Sequence, residues 1–385
     1  MKILTLLILL QLVGCTKEIP NPPDNNIPPN EVIEPEVVIP EEEDRSLFHE
    51  FEEDALILLD NMTIEEKVGQ MFLARCPEDE NLSLYLSMKP GGFIMFGKDF
   101  TGKTKDEVTN NINYYQENSD IPMIIGVDEE GGTVVRVSSN PNLAAERFKS
   151  PQELFSLGGY EEIKRDTKKK SNLLKSLGIN LNLSPLADLS ISVDDFIFDR
   201  SFGKSAEETA QYVKTVVETA KENKISSTLK HFPGYGNNID THTGSAYDER
   251  PYEEFLSNDF IPFKAGIDAG AESILVSHNI VKSIDAENPA SLSKKAIDIL
   301  RNDMEFTGII MTDDLSMGAI SDITAYIPEV MAVKAGNDML IVSDLEKSYN
   351  LLLSAVLNND ISEDRINESV LRIIKWKCYM EGSIK

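Results

Sequence analysis

Short apolar runs recur along the chain, each bounded by turn residues. Eight stand out: Val68–Cys76, Gly91–Gly97, Pro122–Asp128, Ile179–Asp188, Ile225–Phe232, Glu272–Ile280, Gly308–Asp314 and Asp338–Ser343. Runs this short and this aliphatic read as buried strands. Longer polar stretches of helical period lie between them, among them Thr104–Asn118, Ser205–Asn223 and Tyr252–Gly270. In the second, Ala210, Val213, Val217 and Ala220 recur at spacings of three and four, which places them on one helix face. The last stretch, "SEDRINESVLRIIKWKCYM", reads as a closing helix. Strand and helix alternating eight times in a body of about 340 residues predict an α/β protein, a (β/α)₈ TIM barrel forming a single catalytic domain. A doubly wound open sheet is the competing architecture.

The polar residues fall at the ends of these runs. Asp128 closes the third, Asp188 the fourth, Lys230 and His231 the fifth, His278 the sixth, and Asp313 with Asp314 the seventh. In a barrel those carboxyl ends share one face, where active sites are built. A charge in an apolar strand costs free energy unless it is paired or functional. The same feature at the ends of five consecutive strands therefore predicts a catalytic or binding mouth.

The chain has 385 residues and a net charge of −28, which argues against a nucleic-acid partner. It begins "MKILTLLILLQLVGC", a lysine and then an apolar run too short for a stable membrane span. The small residues before Cys15 resemble the bacterial lipobox. That resemblance implies a signal peptide over residues 1–14, cleavage before Cys15, lipid attachment there, and anchoring to the outer face of the cytoplasmic membrane. An ordinary signal peptide and an uncut anchor helix are the alternatives. From Thr16 to Arg45 proline and acid dominate without periodicity, which predicts a disordered tether over residues 15–46. The barrel domain then runs over residues 47–385. Cys76 and Cys378 are too few to make a disulfide framework and are expected to be reduced.

Two stretches carry the candidate chemistry. In "GIIMTDDLSM" two aspartates end an apolar strand. Alternation sends neighbouring side chains to opposite faces, and Asp313 is the inward candidate. A lone carboxylate there serves as nucleophile, metal ligand or helix cap. The loop "KHFPGYGNNIDTH" holds His231, Asp240 and His242, half the histidines of the chain. In Asp–x–His the carboxylate can fix the ring's tautomer and raise its proton affinity. A two-histidine metal site is disfavoured, because the eleven-residue separation fits no zinc spacing. An incidental surface loop is also open, though an irregular loop this long usually has a task. "GVDEEGGTVVRV" lacks a phosphate-binding pattern, and its glycine pair reads as a turn that lets backbone approach a ligand. Arg200 in "FDRSFG" is read either as a clamp on a hydroxyl or carboxylate group or as a surface salt bridge.

Taken in order, "GGFIMFG", "IGVDEEGGTVVR", "NLSPLADL", "DRSFG", "KHFPGYGNNIDTH", "PASLS", "GIIMTDDLSMGAI" and "AGNDML" resemble glycoside hydrolase family 3. Within it they resemble the NagZ-type β-N-acetylhexosaminidases, from about Leu58 to Lys377. The resemblance implies a retaining exo-β-N-acetylglucosaminidase with Asp313 as nucleophile, His242 as acid/base and Asp240 as its partner. It implies that Asp128, Arg200, Lys230 and His231 hold the sugar, a terminal GlcNAc on a glycan or muropeptide. No cofactor and no metal is needed, and a monomer is expected. Three departures stand beside it: a loop one residue shorter, Tyr235 where histidine is usual, and Thr133 where arginine is common. A phosphorylase on the same scaffold and a non-catalytic sugar-binding lipoprotein are the rival functions.

Overall fold

The computed structural model describes residues 46–238, 246–321 and 326–382; the expected leader, and the expected tether apart from its last residue, fall outside them. Every one of the eight apolar runs holds a strand. They are β1 (Phe72–Arg75), β2 (Gly92–Met95), β3 (Ile124–Val127), β4 (Leu181–Asn182), β5 (Ser226–Phe232), β6 (Ser273–Val276), β7 (Ile309–Thr312) and β8 (Leu340–Val342). All pair in parallel and follow one another in chain order, from β8 to β1 and on to β7. A bridge between Met311 and Met339, with Thr312 N–H donating to Met339 O at 3.1 Å, joins β7 to β8. A doubly wound sheet would reverse its strand order at a switch point. Here the order runs right round, so the sheet closes as a barrel.

Helices fill the connections, and side-chain caps start several of them. Thr104 and Ser150 each accept from the backbone N–H three residues on, while that glutamate's carboxylate accepts in return. The helix Ala206–Glu222 buries Val213, Val217 and Ala220 as their spacing predicts, with Tyr212 and Val216 beside them. Ala210 sits at the half-buried edge of that face. Each buried valine is worth about 1.5–3 kcal/mol over an exposed one. A charge at Val217 would leave this helix without its seat on the barrel.

Local chemistry trims three of the expected elements. Val68–Gln70 belongs to the helix Ile64–Gln70, so β1 starts later than its apolar run. The fourth run keeps only two strand residues, since Pro185 has no N–H for the ladder. Beyond it the chain still meets β5, with Ala187 N–H donating to Lys230 O at 2.7 Å. The stretch Tyr252–Gly270 is a helix in three pieces, with a π-turn over Phe255–Asp259.

The closing helix, Glu363–Glu381, lies across the amino-terminal end of the barrel. Trp376 is fully buried and its Nε1–H donates to Ser226 Oγ at the start of β5, at 3.1 Å. Lys377 Nζ donates to Gln70 Oε1 at 2.6 Å. Asp338, in "AGNDML", accepts from Arg301 and Arg372 and from Ile310 N and Ser369 Oγ. It ties the start of β8 to β7 and to the closing helix. Cys76 and Cys378 are buried and form no disulfide. Among the described residues no helix is long and apolar enough to cross a membrane.

Candidate active site

At the carboxyl end of the barrel the strands open into a cavity of about 640 Å³. Asp128, Glu130, Arg200, Lys230, His231 and Asp313 all line it. The closed barrel puts the residue after β3 next to the end of β5, although the two lie 102 positions apart. Lys230 Nζ thus reaches Asp128 Oδ1 at 2.6 Å and Glu130 Oε1 at 2.6 Å. Arg200 grips Glu130 with two parallel bonds, Nε to Oε2 at 3.1 Å and Nη2 to Oε1 at 2.8 Å. The other face of Arg200 Nη2 lies 3.4 Å from His231 Nε2. His231 donates from Nδ1 to Asp188 Oδ2 at 2.7 Å, which leaves Nε2 as the acceptor towards Arg200. One continuous network results: Asp128, Lys230, Glu130, Arg200, His231, Asp188.

Its electrostatics follow from burial and pairing. Burial alone pushes the Glu130 carboxyl up. The Lys230 and Arg200 charges and their hydrogen bonds outweigh that, and the group is held well below the usual carboxylate range. Burial likewise pulls the Lys230 ammonium down, and Asp128 and Glu130 overcome it and raise it above its ordinary value. Both side chains are therefore charged at neutral pH, with fixed donors and acceptors facing the cavity.

Across the cavity stands Asp313, half-buried just past the end of β7, with its N–H donating to Val276 O at 3.0 Å. Its Oδ1 accepts from Asp314 N at 2.8 Å. Asp314 also lines the cavity, against the expectation from strand alternation. Both aspartates lie beyond Thr312, where the strand and its two-residue period have ended. The Asp314 carboxylate is taken up by Ser316 N (2.9 Å), Ser316 Oγ (2.6 Å) and Ser343 Oγ (2.6 Å). It holds the turn, while Asp313 faces the ion network. His278 is fully buried beneath this turn, its ring nitrogens 2.7 Å from Ser291 Oγ and 3.0 Å from Asp314 O.

Asp240 and His242 lie outside the described residues, but both flanks of their loop are described. Asn238 Nδ2 donates to Asp248 Oδ2 at 2.8 Å. Arg250 bonds Asp248 and reaches Asp259 Oδ2 at 2.9 Å. Asp248, gripped by that guanidinium and by Asn238, thereby joins the two flanks of the loop. Tyr235, in place of the usual histidine, is buried with its ring 5.3 Å from that of His231 and 5.8 Å from that of Phe196. It wedges the histidine against Asp188, whose Oδ1 accepts from Tyr235 N at 2.8 Å.

Two readings of single motifs change. The glycine pair after β3 packs against the protein itself. A Cβ on Gly131 would stand 2.2 Å from Lys149 O, and Gly132 faces Ser150, so the pair makes room for the start of the helix Pro151–Ser176. The Arg200 ion pair is largely enclosed rather than on the surface, with side-chain exposures of 17% and 4% for Arg200 and Glu130. Glu130, at the centre of the network, went unnoticed in the sequence, although "VDEEGG" holds it. So did its neighbour Glu129, which is spent on loop structure, accepting from Arg136 N and Val137 N at 2.7 Å each.

Fold and cavity together are those of a barrel glycosidase. The family model described as glycosyl hydrolase family 3 N terminal domain matches residues 63–376, and the chain belongs to that family. A beta-hexosaminidase of Nitrosomonas eutropha is 30% identical over 278 residues, 69% of this chain and 77% of that one. The beta-hexosaminidase LpqI of Mycobacterium tuberculosis is 27% identical over 269 residues, 67% of this chain and 68% of that one. Among solved structures, a glycoside hydrolase family 3 beta-N-acetylglucosaminidase from Paenibacillus sp. str. FPU-7 aligns with a TM-score of 0.77 and 27% identity. That alignment covers 84% of this chain and spans 64% of the Paenibacillus chain.

Proposed function

We propose that the protein is a retaining exo-β-N-acetylglucosaminidase that removes terminal GlcNAc from peptidoglycan fragments. The observation that carries this reading is the ion network facing Asp313 across one cavity, in a family whose similar members are beta-hexosaminidases. In this reading Asp313 attacks the anomeric carbon and forms a glycosyl-aspartate. His242 protonates the leaving oxygen and then takes a proton from the water that releases the sugar. Asp240 orients the ring of His242. Asp128, Lys230, Arg200 and His231 grip the sugar hydroxyls, and Glu130 and Asp188 hold those grips in place. Because every member of the network is already paired, little reorganisation is needed when substrate arrives.

We place the enzyme outside the cell membrane, held by lipid on Cys15 through the tether of residues 15–46. The support is the composition of the first 46 residues. The function is tested with p-nitrophenyl β-GlcNAc beside the β-GalNAc, β-glucoside and β-xyloside analogues, with and without phosphate. Hydrolysis of the GlcNAc glycoside at least tenfold faster than of the glucoside is expected. Release of GlcNAc-1-phosphate as the main product in phosphate buffer would make it a phosphorylase instead. No turnover of any glycoside would return the protein to a binding role.

A further inference from the structure

Both glycines of "FPGYG" are pressed against one buried ion pair. Gly234 and Gly236 take positive φ, 124° and 54°. A Cβ on Gly234 would stand 2.3 Å from Asp259 Oδ1, and one on Gly236 would stand 2.7 Å from Arg250 Cζ. The backbone that follows His231 thus lies directly on the Arg250–Asp259 pair, whose Nη1 and Oδ2 are 2.9 Å apart. Asp259 is buried, and its Oδ1, the oxygen against Gly234, has no hydrogen-bond partner. The residue ends the π-turn Phe255–Asp259, an irregularity of a kind frequent at functional sites. The Phe255 ring lies 4.3 Å from Arg250 Cζ, and Asp248 takes Nε and Nη2 of the same guanidinium. Asp248 belongs to the second flank of the loop. There Ile280 N donates to Ala246 O at 2.8 Å and Lys282 N to Asp248 O at 2.9 Å.

A buried ion pair is a poor source of stability, because desolvation offsets much of its attraction. A pair whose two halves each carry a glycine of the same loop is better explained by what it supports. His242 stands four positions from Asn238 and four from Ala246, so a shift of either flank reaches it. We infer that Asp259 is a positioning residue for the acid/base: together with Arg250 it forms the seat of the Gly234–Asn238 flank and so sets where His242 delivers its proton. This rests on the role proposed for His242. Misplacing a reacting group by about 1 Å costs about 10²-fold in rate. The proton matters only when the leaving group is poor. The signature of the seat is therefore a loss that grows with the basicity of the leaving group.

The test compares kcat/KM on phenyl β-GlcNAc, whose leaving group needs the proton, with that on 2,4-dinitrophenyl β-GlcNAc, whose leaving group departs without it. Asp259→Asn keeps the shape and removes the charge. It should lose about 30-fold on the phenyl glycoside and less than about threefold on the dinitrophenyl glycoside. In a His242→Ala background the same change should cost less than about twofold further on the phenyl glycoside, because it acts through the missing ring. Gly236→Ala leaves both charges in place and pushes the flank off Arg250. It should show the same leaving-group bias, and it gives the same two readings if Asp259→Asn does not fold. Equal losses on both glycosides, no loss on either, or full additivity with His242→Ala overturn the seat and leave a structural ion pair. If His242→Ala itself shows no leaving-group bias, the acid/base reading fails first, and the seat that acts through it is overturned with it. A bias in His242→Ala without one in Asp259→Asn and Gly236→Ala overturns the seat alone.

Discussion

Glu130 and Glu272 are both buried, one at each end of the barrel, and they titrate in opposite directions. At the mouth, two cations overcome the burial of Glu130 and hold it ionised. At the base, burial pushes Glu272 up to about 7, although Ser227 donates to it from both N and Oγ at 3.0 Å. The lysines mirror them. Lys230 at the mouth is raised by two carboxylates, whereas burial brings Lys377 at the base down to about 7. At Glu272 and Lys377 the base thus buries polar groups and allows them to be neutral, while Asp338 there is held ionised by Arg301 and Arg372 to tie the closing helix to the barrel. The mouth buries charge and keeps it charged with its partners facing an open cavity, which is expensive in desolvation and useful where something must be gripped.

The largest effect that tests this contrast is chemical. If Asp313 is the nucleophile as proposed, Asp313→Asn should lower kcat by about 10⁴-fold or more on every aryl glycoside. Its thermal midpoint should stay near that of wild type, because the side chain is half-exposed. An active Asp313→Asn enzyme would remove the mouth from the chemistry.

Next come the two lysines. Lys230→Met leaves Asp128 and Glu130 without their cation and should destabilise the fold by about 3–5 kcal/mol in urea titration. Lys377→Met loses only a bond to Gln70 and should cost about 1 kcal/mol at pH 8. Equal costs would mean that the two ends are not different in kind.

The third prediction uses pH. The folded pKa of Glu272, about 7, lies above its ordinary 4.5, so the folded state holds the proton longer. Its contribution to stability is therefore fully present below pH 4.5 and is lost as pH rises towards and past 7. Glu272→Gln, which keeps the acceptor, should gain about 2–3 kcal/mol over wild type at pH 8 and little at pH 5. Glu130 runs the other way. Its folded pKa is depressed, so its contribution is complete above the ordinary carboxylate range and is lost only in strong acid. Glu130→Gln should therefore show a constant cost from pH 5 to pH 8. A pH-independent difference for Glu272→Gln would refute the neutral base.

The smallest effect concerns the neighbour of Asp313. Asp314→Asn loses part of its set of bonds to Ser316 and Ser343, worth about 1–2 kcal/mol in turn geometry. Activity should stay within about tenfold of wild type. Complete loss there, with a working Asp313→Asn enzyme, would reverse their roles.

Much of this was legible in the chain, because strand and helix periods are local. The eight runs, the closing helix and the charged strand ends depend on residues within a few positions of one another. The alternation rule failed at Asp314 for a local reason too, since the strand stops at Thr312. Glu130 was harder, because nothing near it in sequence pairs with it. Its partners are Arg200, 70 residues on, and Lys230. Asp188 was seen as a strand end, but not as the group that sets the ring of His231.

The sequence by itself determined the elements, their order and the residue types offered at the mouth, because each follows from hydrophobic period and backbone chemistry. Only the closed barrel decided which charges meet. It set Asp128, Glu130 and Lys230 within 2.6 Å contacts, left Glu272 buried without an ion pair among the described residues, and laid Arg75 and Arg136 on one aromatic ring. A charge acquires its role from its surroundings in low dielectric, and those surroundings come from strands that are distant along the chain and adjacent only once the ring is closed.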